Sequence, residues 1–401
     1  MTRHLDLRTG TPVWSAYRAR RVPVARLRRD VKADVLVIGM GISGALAAET
    51  LTASGLSVAM IDQRGPLKGS TAATTALVQY EIDQPLTLLA EKIGKGDAER
   101  AWRRSRLATM NLKARIDECG IDCRMAPRPS LYLAGNVLDA GGLREEAEAR
   151  RRAGIHATYL TRGDLRDRFG IDRTGAILSH DNLAIDPRKL TAGLLIKAQS
   201  RGARLYAPAD AVGFEEHADS IATLTGDGPV IRAQTVVMAT GYELTEIVPP
   251  ARHRIVSTWA IATRPQPRGL WPEQAMIWES SDPYLYLRAT ADGRVICGGE
   301  DEDFADEERR DALIGAKSAR IAAKLRKLLP ALDTTPQFAW AGSFGTTSTG
   351  LPAIGMVPRH PRMFAVMGYG GNGITYSQIA SEILRAAISG GRDSDAGLFA
   401  F

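Results

Sequence analysis

The sequence predicts a mixed α/β protein, α+β overall. A Rossmann-like domain made of discontinuous segments carries a second domain built on an antiparallel sheet. Three observations predict this. Near the N-terminus, DVLVIGMGISGALAAETL (Asp34 to Leu51) runs from an apolar strand through a glycine turn into a helix of small residues. Strand character then dominates Ile255–Thr263, Ala275–Trp278, Tyr284–Arg288 and Arg294–Cys297. At the C-terminus, Phe364–Met367 followed by Ile374–Ile388 returns to strand-then-helix. A chain of 401 residues exceeds one ordinary core. The two ends therefore read as one domain that the chain leaves and re-enters.

Along the chain, residues 1–33 are polar and irregular and read as an arm across the surface. Asp34–Ile38 is a buried strand, Ile42–Ser54 a helix stopped by Gly55, and Leu56–Ile61 a second strand, the size of a minimal βαβ unit. Apolar residues at helical spacing predict a helix over 86–118, a second over Gly142–Ala153 and a third over Leu190–Ser200. Short segments fall around Asp172–Ile185, and Arg204–Tyr206, Ala211–Phe214 and Ile221–Leu224 read as strands. Glu307–Leu329 is a long amphipathic helix stopped by Pro330. The expected cofactor domain comprises 1–85, 145–245 and 338–401, and the expected substrate domain 86–144 and 246–337.

Composition removes several function classes. The chain is 44% hydrophobic and 24% charged, which is globular. A net charge of +7 could serve nucleic acid, but the arginines of 144–152 are interleaved with Glu145, Glu146 and Glu148 and carry no aromatic residues between them. That is a solvated helix face, and no nucleic-acid partner is expected. Cys119, Cys123 and Cys297 make no disulfide framework, and the six histidines form no metal-binding cluster. MTRHLDLRTGTPVW lacks an apolar core of signal-peptide length, and no run approaches the ~20 apolar residues of a membrane span. A cytoplasmic protein is expected.

Gly39-Met40-Gly41-Ile42-Ser43-Gly44 fits G-x-G-x-x-G. The first glycine permits the tight turn, the second lets backbone approach a pyrophosphate, and the third lets helix and strand pack closely. The helix N-terminus stabilises the phosphate charge. Asp62 at the end of the second strand, followed by Gln63 and Arg64, would accept hydrogen bonds from a ribose hydroxyl and repel a 2′-phosphate. Distant residues choose the dinucleotide. The apolar strand 235–238 ends in Ala239-Thr240-Gly241. Phe364–Met367 leads into a glycine-rich turn holding Gly370, Gly371, Asn372, Gly373 and Ile374. A second helix N-terminus there would stabilise negative charge on a reduced flavin, which favours FAD.

These segments together resemble the D-amino-acid-oxidase-like family of FAD-dependent oxidoreductases, the group with glycine, sarcosine and γ-glutamylputrescine oxidases. The resemblance rests on DVLVIGMGISG with Asp62, KGSTAATTALVQYEID (68–83), VVMATGYE (236–243), YLYLRATADGRVICGGE (284–300), TGLPAIG and GYGGNGI, and runs from about Ala33 to Gly390. It implies that Ser70, Thr71, Thr74 and Thr75 lie in the loop passing the pyrophosphate and flavin, and that Ala211 or Val212 gives backbone contacts to adenine. Some relatives tether FAD through a cysteine or histidine. The corresponding positions here read Gly342 and the Ser70 region, so non-covalent FAD is expected. The aspartate of the family's T-x-D-G-x-P is absent from Thr347-Ser348-Thr349-Gly350-Leu351-Pro352.

The chemistry implied is hydride removal from a carbon bearing an amine, with flavin N5 as acceptor, hydrolysis of the imine, and O2 or another electron acceptor closing the cycle. The substrate would be a small-molecule amine or amino acid. A carboxylate substrate wants an arginine fork, and by the resemblance Arg288 stands where amino-acid-oxidising relatives carry one. The alternative for Arg288 is an ion pair with the acidic run Glu300–Asp303. Alternation puts Tyr284, Tyr286 and Arg288 on one strand face. Tyr80, Glu81 and Tyr369 lie near the glycine-rich flavin segments, Trp259 reads as core and His253 as surface. A contact through Glu81 or Glu300 would favour a cationic amine. Oxidation of a C–OH bond, and a flavin-binding subunit without turnover, are the competing readings.

Overall fold

A computed structural model describes residues 6–243, 247–248 and 253–401. The His253 side chain and residues 1–5 of the N-terminal arm lie outside the described residues.

The glycine loop sits at the carboxyl end of an inner strand, Val31–Ile38, of an eight-stranded sheet ordered Ala353–Val357, His360–Met367, Val230–Met238, Val31–Ile38, Val58–Ile61 and Arg204–Tyr206, with Ile221–Thr225 and Ala211–Glu216 branching from it. The four inner pairings, from His360–Met367 to Arg204–Tyr206, are parallel. Near-continuous apolar runs such as 35–38 and 58–61 are therefore buried on both faces. On one face the Ile42–Ala53 helix packs between Pro187–Ser200 and Gly373–Ile388. The carboxyl ends of several strands meet at one point: Gly39 N–H donates to Ile61 O at 2.8 Å and Ala239 N–H to Ile38 O at 2.9 Å. Such a meeting point is where open parallel sheets bind ligands.

The second sheet has ten strands. Its path runs Arg8–Gly10, Pro336–Thr347, His253–Thr263, Val295–Glu302, Leu285–Ala289, Met276–Glu279, Ala126–Leu133, Gly175–Ala184 and Leu77–Val78, and Ala157–Thr161 also pairs with Gly175–Ala184. It is antiparallel except where Met276–Glu279 meets Ala126–Leu133. The Ile314–Leu328 helix covers the far side of this sheet.

Several expectations shift. Residues 157–161 and 175–184, assigned from the sequence to the cofactor segments, are strands of the larger sheet. So is Pro336–Thr347, which straddles the expected boundary at 338. The stretch 86–118 splits into Leu86–Ile93 and Lys95–Cys119 because Gly94, at φ +86, turns the backbone between them. The long C-terminal amphipathic segment likewise divides into Glu307–Ala312 and Ile314–Leu328. The third predicted helix starts earlier, at Pro187, with the Asp186 carboxylate accepting from the N–H groups of Arg188 and Lys189. The N-terminal arm, read as lying across the surface, is partly built into the fold from residue 6 onward. Its Arg8–Gly10 strand joins the larger sheet, and Val13 and Trp14 are buried.

Candidate active site

One elongated cavity of about 430 Å³ runs from the glycine loop to the inner face of the larger sheet. Gly39, Gly41, Ile42 and Ser43 line its phosphate end, and the loop residues Ser70, Thr71, Thr74 and Thr75 face them. Gly44 does not line the cavity. A Cβ there would stand 1.9 Å from the Gly39 carbonyl oxygen, so this glycine lets helix and strand meet. A Cβ on Gly39, at φ +109, would stand 2.3 Å from the Ala239 carbonyl oxygen. The Thr71 hydroxyl accepts from the Ile42 N–H at 3.1 Å, which fastens the loop to the helix start.

At one end the lining comprises Asp62, Gln63, Arg64, Ala211 and Val212. The Asp62 carboxylate accepts from the N–H groups of Met40, Arg64 and Gly65 at 2.7–2.8 Å. Three of its roughly four acceptor positions are thus used to shape the turn. Burial pushes its pKa up, and these three N–H groups oppose that. Glu243, which the sequence reading quoted without singling out, is buried in the same wall. Arg64 grips it with both terminal nitrogens at 2.5 and 2.6 Å, and Gln63 donates to it at 2.9 Å. Only the fold brings positions 64 and 243 together.

Ala239, Thr240 and Gly241 line the middle of the cavity, with Gly370, Gly371, Asn372, Gly373 and Ile374 facing it from the start of the last helix. The Ser70–Thr75 loop is held from behind through three consecutive carbonyls. Trp340 Nε1 donates to Ala73 O at 2.7 Å, Trp14 Nε1 to Thr74 O at 2.6 Å and Arg288 Nε to Thr75 O at 2.9 Å.

The larger sheet closes the other side with Trp278, Tyr284, Tyr286 and Phe344. Tyr284 and Tyr286 lie on the cavity face as alternation predicts, their ring centroids 5.2 Å apart. Arg288 departs from them. It is 2% exposed, lies outside the cavity lining, and spends its guanidinium on Thr75 O and on Ile185 O at 2.7 Å, stacked over Trp14. Burial lowers its pKa to about 10. The ion pair with 300–303 is not formed either, because Glu300 turns to Lys317, Lys324 and Arg320 on the outer side. Tyr80 is also outside the lining. It is buried edge-on to Trp102, and burial raises its phenol pKa. Trp259 is buried, as expected, and its indole donates to Arg310 O.

Two acids at the sheet end were not singled out from the sequence. Asp83 lines the cavity and accepts from Gly371 N–H at 2.8 Å; burial pushes its pKa up and that N–H opposes it. Asp301, outside the lining, stands behind the Thr258–Tyr286 hydroxyl pair. Burial raises its pKa to about 7, a hydrogen bond with Thr258 lowers it, and the charge of Asp83 raises it further. Among the described residues, no group of three or more His, Cys, Asp or Glu side chains could hold a metal ion.

A crevice at parallel strand ends, continued onto an antiparallel sheet face, defines a two-layer dinucleotide-dependent oxidoreductase. The fit to FAD is physical. The glycines leave a cradle that side chains would fill, Ser70 Oγ is buried beside it without a partner, and a second helix start faces the middle of the cavity. The chain belongs to the DAO family of FAD dependent oxidoreductases, whose model matches residues 34–387. It is 26% identical over 370 residues to the "Probable oxidoreductase OrdL" of Rhizobium meliloti, covering 88% of this chain and 82% of that protein. Among solved structures it resembles glycine oxidase of Geobacillus kaustophilus (TM-score 0.73, 19% identity, 91% of this chain and 96% of that one). It also resembles L-proline dehydrogenase of P. horikoshii (TM-score 0.75, 20% identity, 91% and 95%). The cofactor is FAD. No cysteine or histidine lines the cavity among the described residues, in keeping with non-covalent binding.

Proposed function

We propose that this protein oxidises the C–N bond of a small amine or amino acid. Bound FAD supplies the hydride acceptor. The chain's residues hold the cofactor, present the substrate carbon and keep water out. The glycine loop and the Ile42–Ala53 helix start would bind the pyrophosphate, the Ser70–Thr75 and Gly370–Ile374 segments the flavin, and Tyr284 and Tyr286 the substrate side.

The observation that carries this reading is the lining of the sheet end. Among the described residues it holds the carboxylates Glu81 and Asp83 and aromatic rings, and no cation that would seat a carboxylate at that end. A 2-hydroxyacid carries a carboxylate on its reacting carbon, whereas a neutral amine brings no negative charge and donates its own lone pair. Amine oxidation is therefore favoured over hydroxyacid oxidation. Glycine oxidase and L-proline dehydrogenase among the structural neighbours support the same class.

Anaerobic mixing of the holoprotein with amines, amino acids and 2-hydroxyacids tests it. Bleaching of the flavin band by an amine or amino acid is expected. Bleaching by hydroxyacids alone, or by nothing, would overturn it in favour of C–OH oxidation or of a flavin-binding subunit without turnover.

A further inference from the structure

We propose that the sheet end of the cavity selects a diamine, whose reacting amine is neutral and whose second nitrogen is a cation, over a substrate bearing a carboxylate, and that Asp83 recognises that cation with Asp301 behind it. This rests on the C–N reading above and names its substrate class.

The charge on the cavity wall is one-sided. Glu81 and Asp83 line the sheet end, while the one lining cation among the described residues, Arg64, sits far off beside Asp62 and is gripped by Glu243. Arg288, the side chain best suited to a carboxylate, is turned away onto two backbone carbonyls. Glu81 does bind Arg150 at 3.0 Å, but Arg150 also serves Glu146 at 2.7 Å, so this buried trio sets two carboxyl groups against one guanidinium. A substrate carboxylate would meet like charge with no counter-ion among the described residues, and in a buried setting that costs heavily.

The two aspartates are placed differently from ordinary paired carboxylates. Asp83 has a backbone N–H as partner and, among the described residues, no cation. Asp301 follows a break in the Val295–Glu302 strand, where Gly299 has φ +147 and Glu300 φ +61. The break sends Glu300 outward to its lysines and leaves Asp301 on the Thr258 and Tyr286 side. Its Oδ1 is buried without a hydrogen-bond partner. Asp301 lies outside the cavity lining, so its charge acts on the cavity from behind Thr258 and Tyr286, which do line it. Tyr284, Tyr286, Trp278 and Phe344 supply aromatic walls, which favour alkylammonium groups further.

The test uses the FAD-loaded protein under anaerobic conditions with a matched pair, diaminobutane against γ-aminobutyrate. The diamine is expected to bleach the flavin. Asp83→Asn, which keeps size and hydrogen bonding, should raise KM for the diamine by roughly ten-fold or more with little change in kcat, and Asp301→Asn should raise it by less. As a readout independent of turnover, titration calorimetry with tetraethylammonium and with acetate should show binding of the cation alone, weakened in both variants. Bleaching by the amino acid in preference to the diamine, or binding of acetate rather than the cation, overturns this proposal and leaves C–N oxidation standing. Bleaching by hydroxyacids alone, or by nothing, overturns both. If either variant fails to retain FAD, the two titrations on the parent protein still decide.

Discussion

At the scale of single residues, Arg288 and Asp301 show how burial reassigns a side chain. Arg288→Ala should destabilise the protein by about 2–4 kcal/mol, because it strands the Thr75 and Ile185 carbonyls and empties the space over Trp14. Arg288→Lys should restore little, since an ammonium lacks the fork that reaches both carbonyls. Denaturant titration checks the stability, and steady-state kinetics checks that KM moves less than it would for a substrate anchor. Asp301 has a folded pKa near 7, above its unfolded value. Its contribution favours the fold at pH below about 4 and is lost as pH rises toward 8. Asp301→Asn should therefore raise the melting temperature at pH 8, by an effect on the order of 2 kcal/mol, with the gap narrowing by pH 5. Equal shifts at both pH values would refute the role of burial.

At the scale of elements, the glycine loop works through packing as much as through ligand contact. Gly44→Val would drive a side chain into the Gly39 carbonyl. The Ile42–Ala53 helix would then move off the Val31–Ile38 strand, at a cost on the order of 1–3 kcal/mol. FAD affinity should fall with it, because the helix start that faces the pyrophosphate would shift. Fluorescence titration of the apoprotein with FAD measures this. An unchanged affinity would mean that the phosphate end tolerates helix displacement. The motif showed the strand, turn and helix. It did not show that Trp14, Arg288 and Trp340 pin the opposite loop, since these lie 60 to 267 positions from their partners.

At the scale of the molecule, one cavity runs from the glycine loop of the smaller sheet to the inner face of the larger one. Acid precipitation should release the yellow colour into the supernatant, as the absence of a lining cysteine or histidine among the described residues predicts. Removing FAD should lower the melting temperature. Saturating FAD should restore roughly 3–4 kcal/mol at 100–1,000 times its dissociation constant. An apoprotein as stable as the holoprotein would mean that the sheets hold each other without the cofactor.

The sequence by itself determined the dinucleotide crevice. Its signals are local: three glycines at fixed spacing, Asp62 at the next strand end, and two further strand-to-turn segments, each readable within about twelve residues. Every expected cofactor residue except Gly44 lines the cavity, and Gly44 fills the packing role its position in the motif predicts. What only the tertiary structure decided is the substrate end. Strand alternation correctly grouped Tyr284 with Tyr286, but it could not report that Arg288 leaves the cavity for the carbonyls of Thr75 and Ile185. Nor could it report that the break at Gly299 and Glu300 separates Glu300 from Asp301. The charge of the site is set by which long-range partner each ionisable group finds, and those partners are chosen by packing across the two sheets.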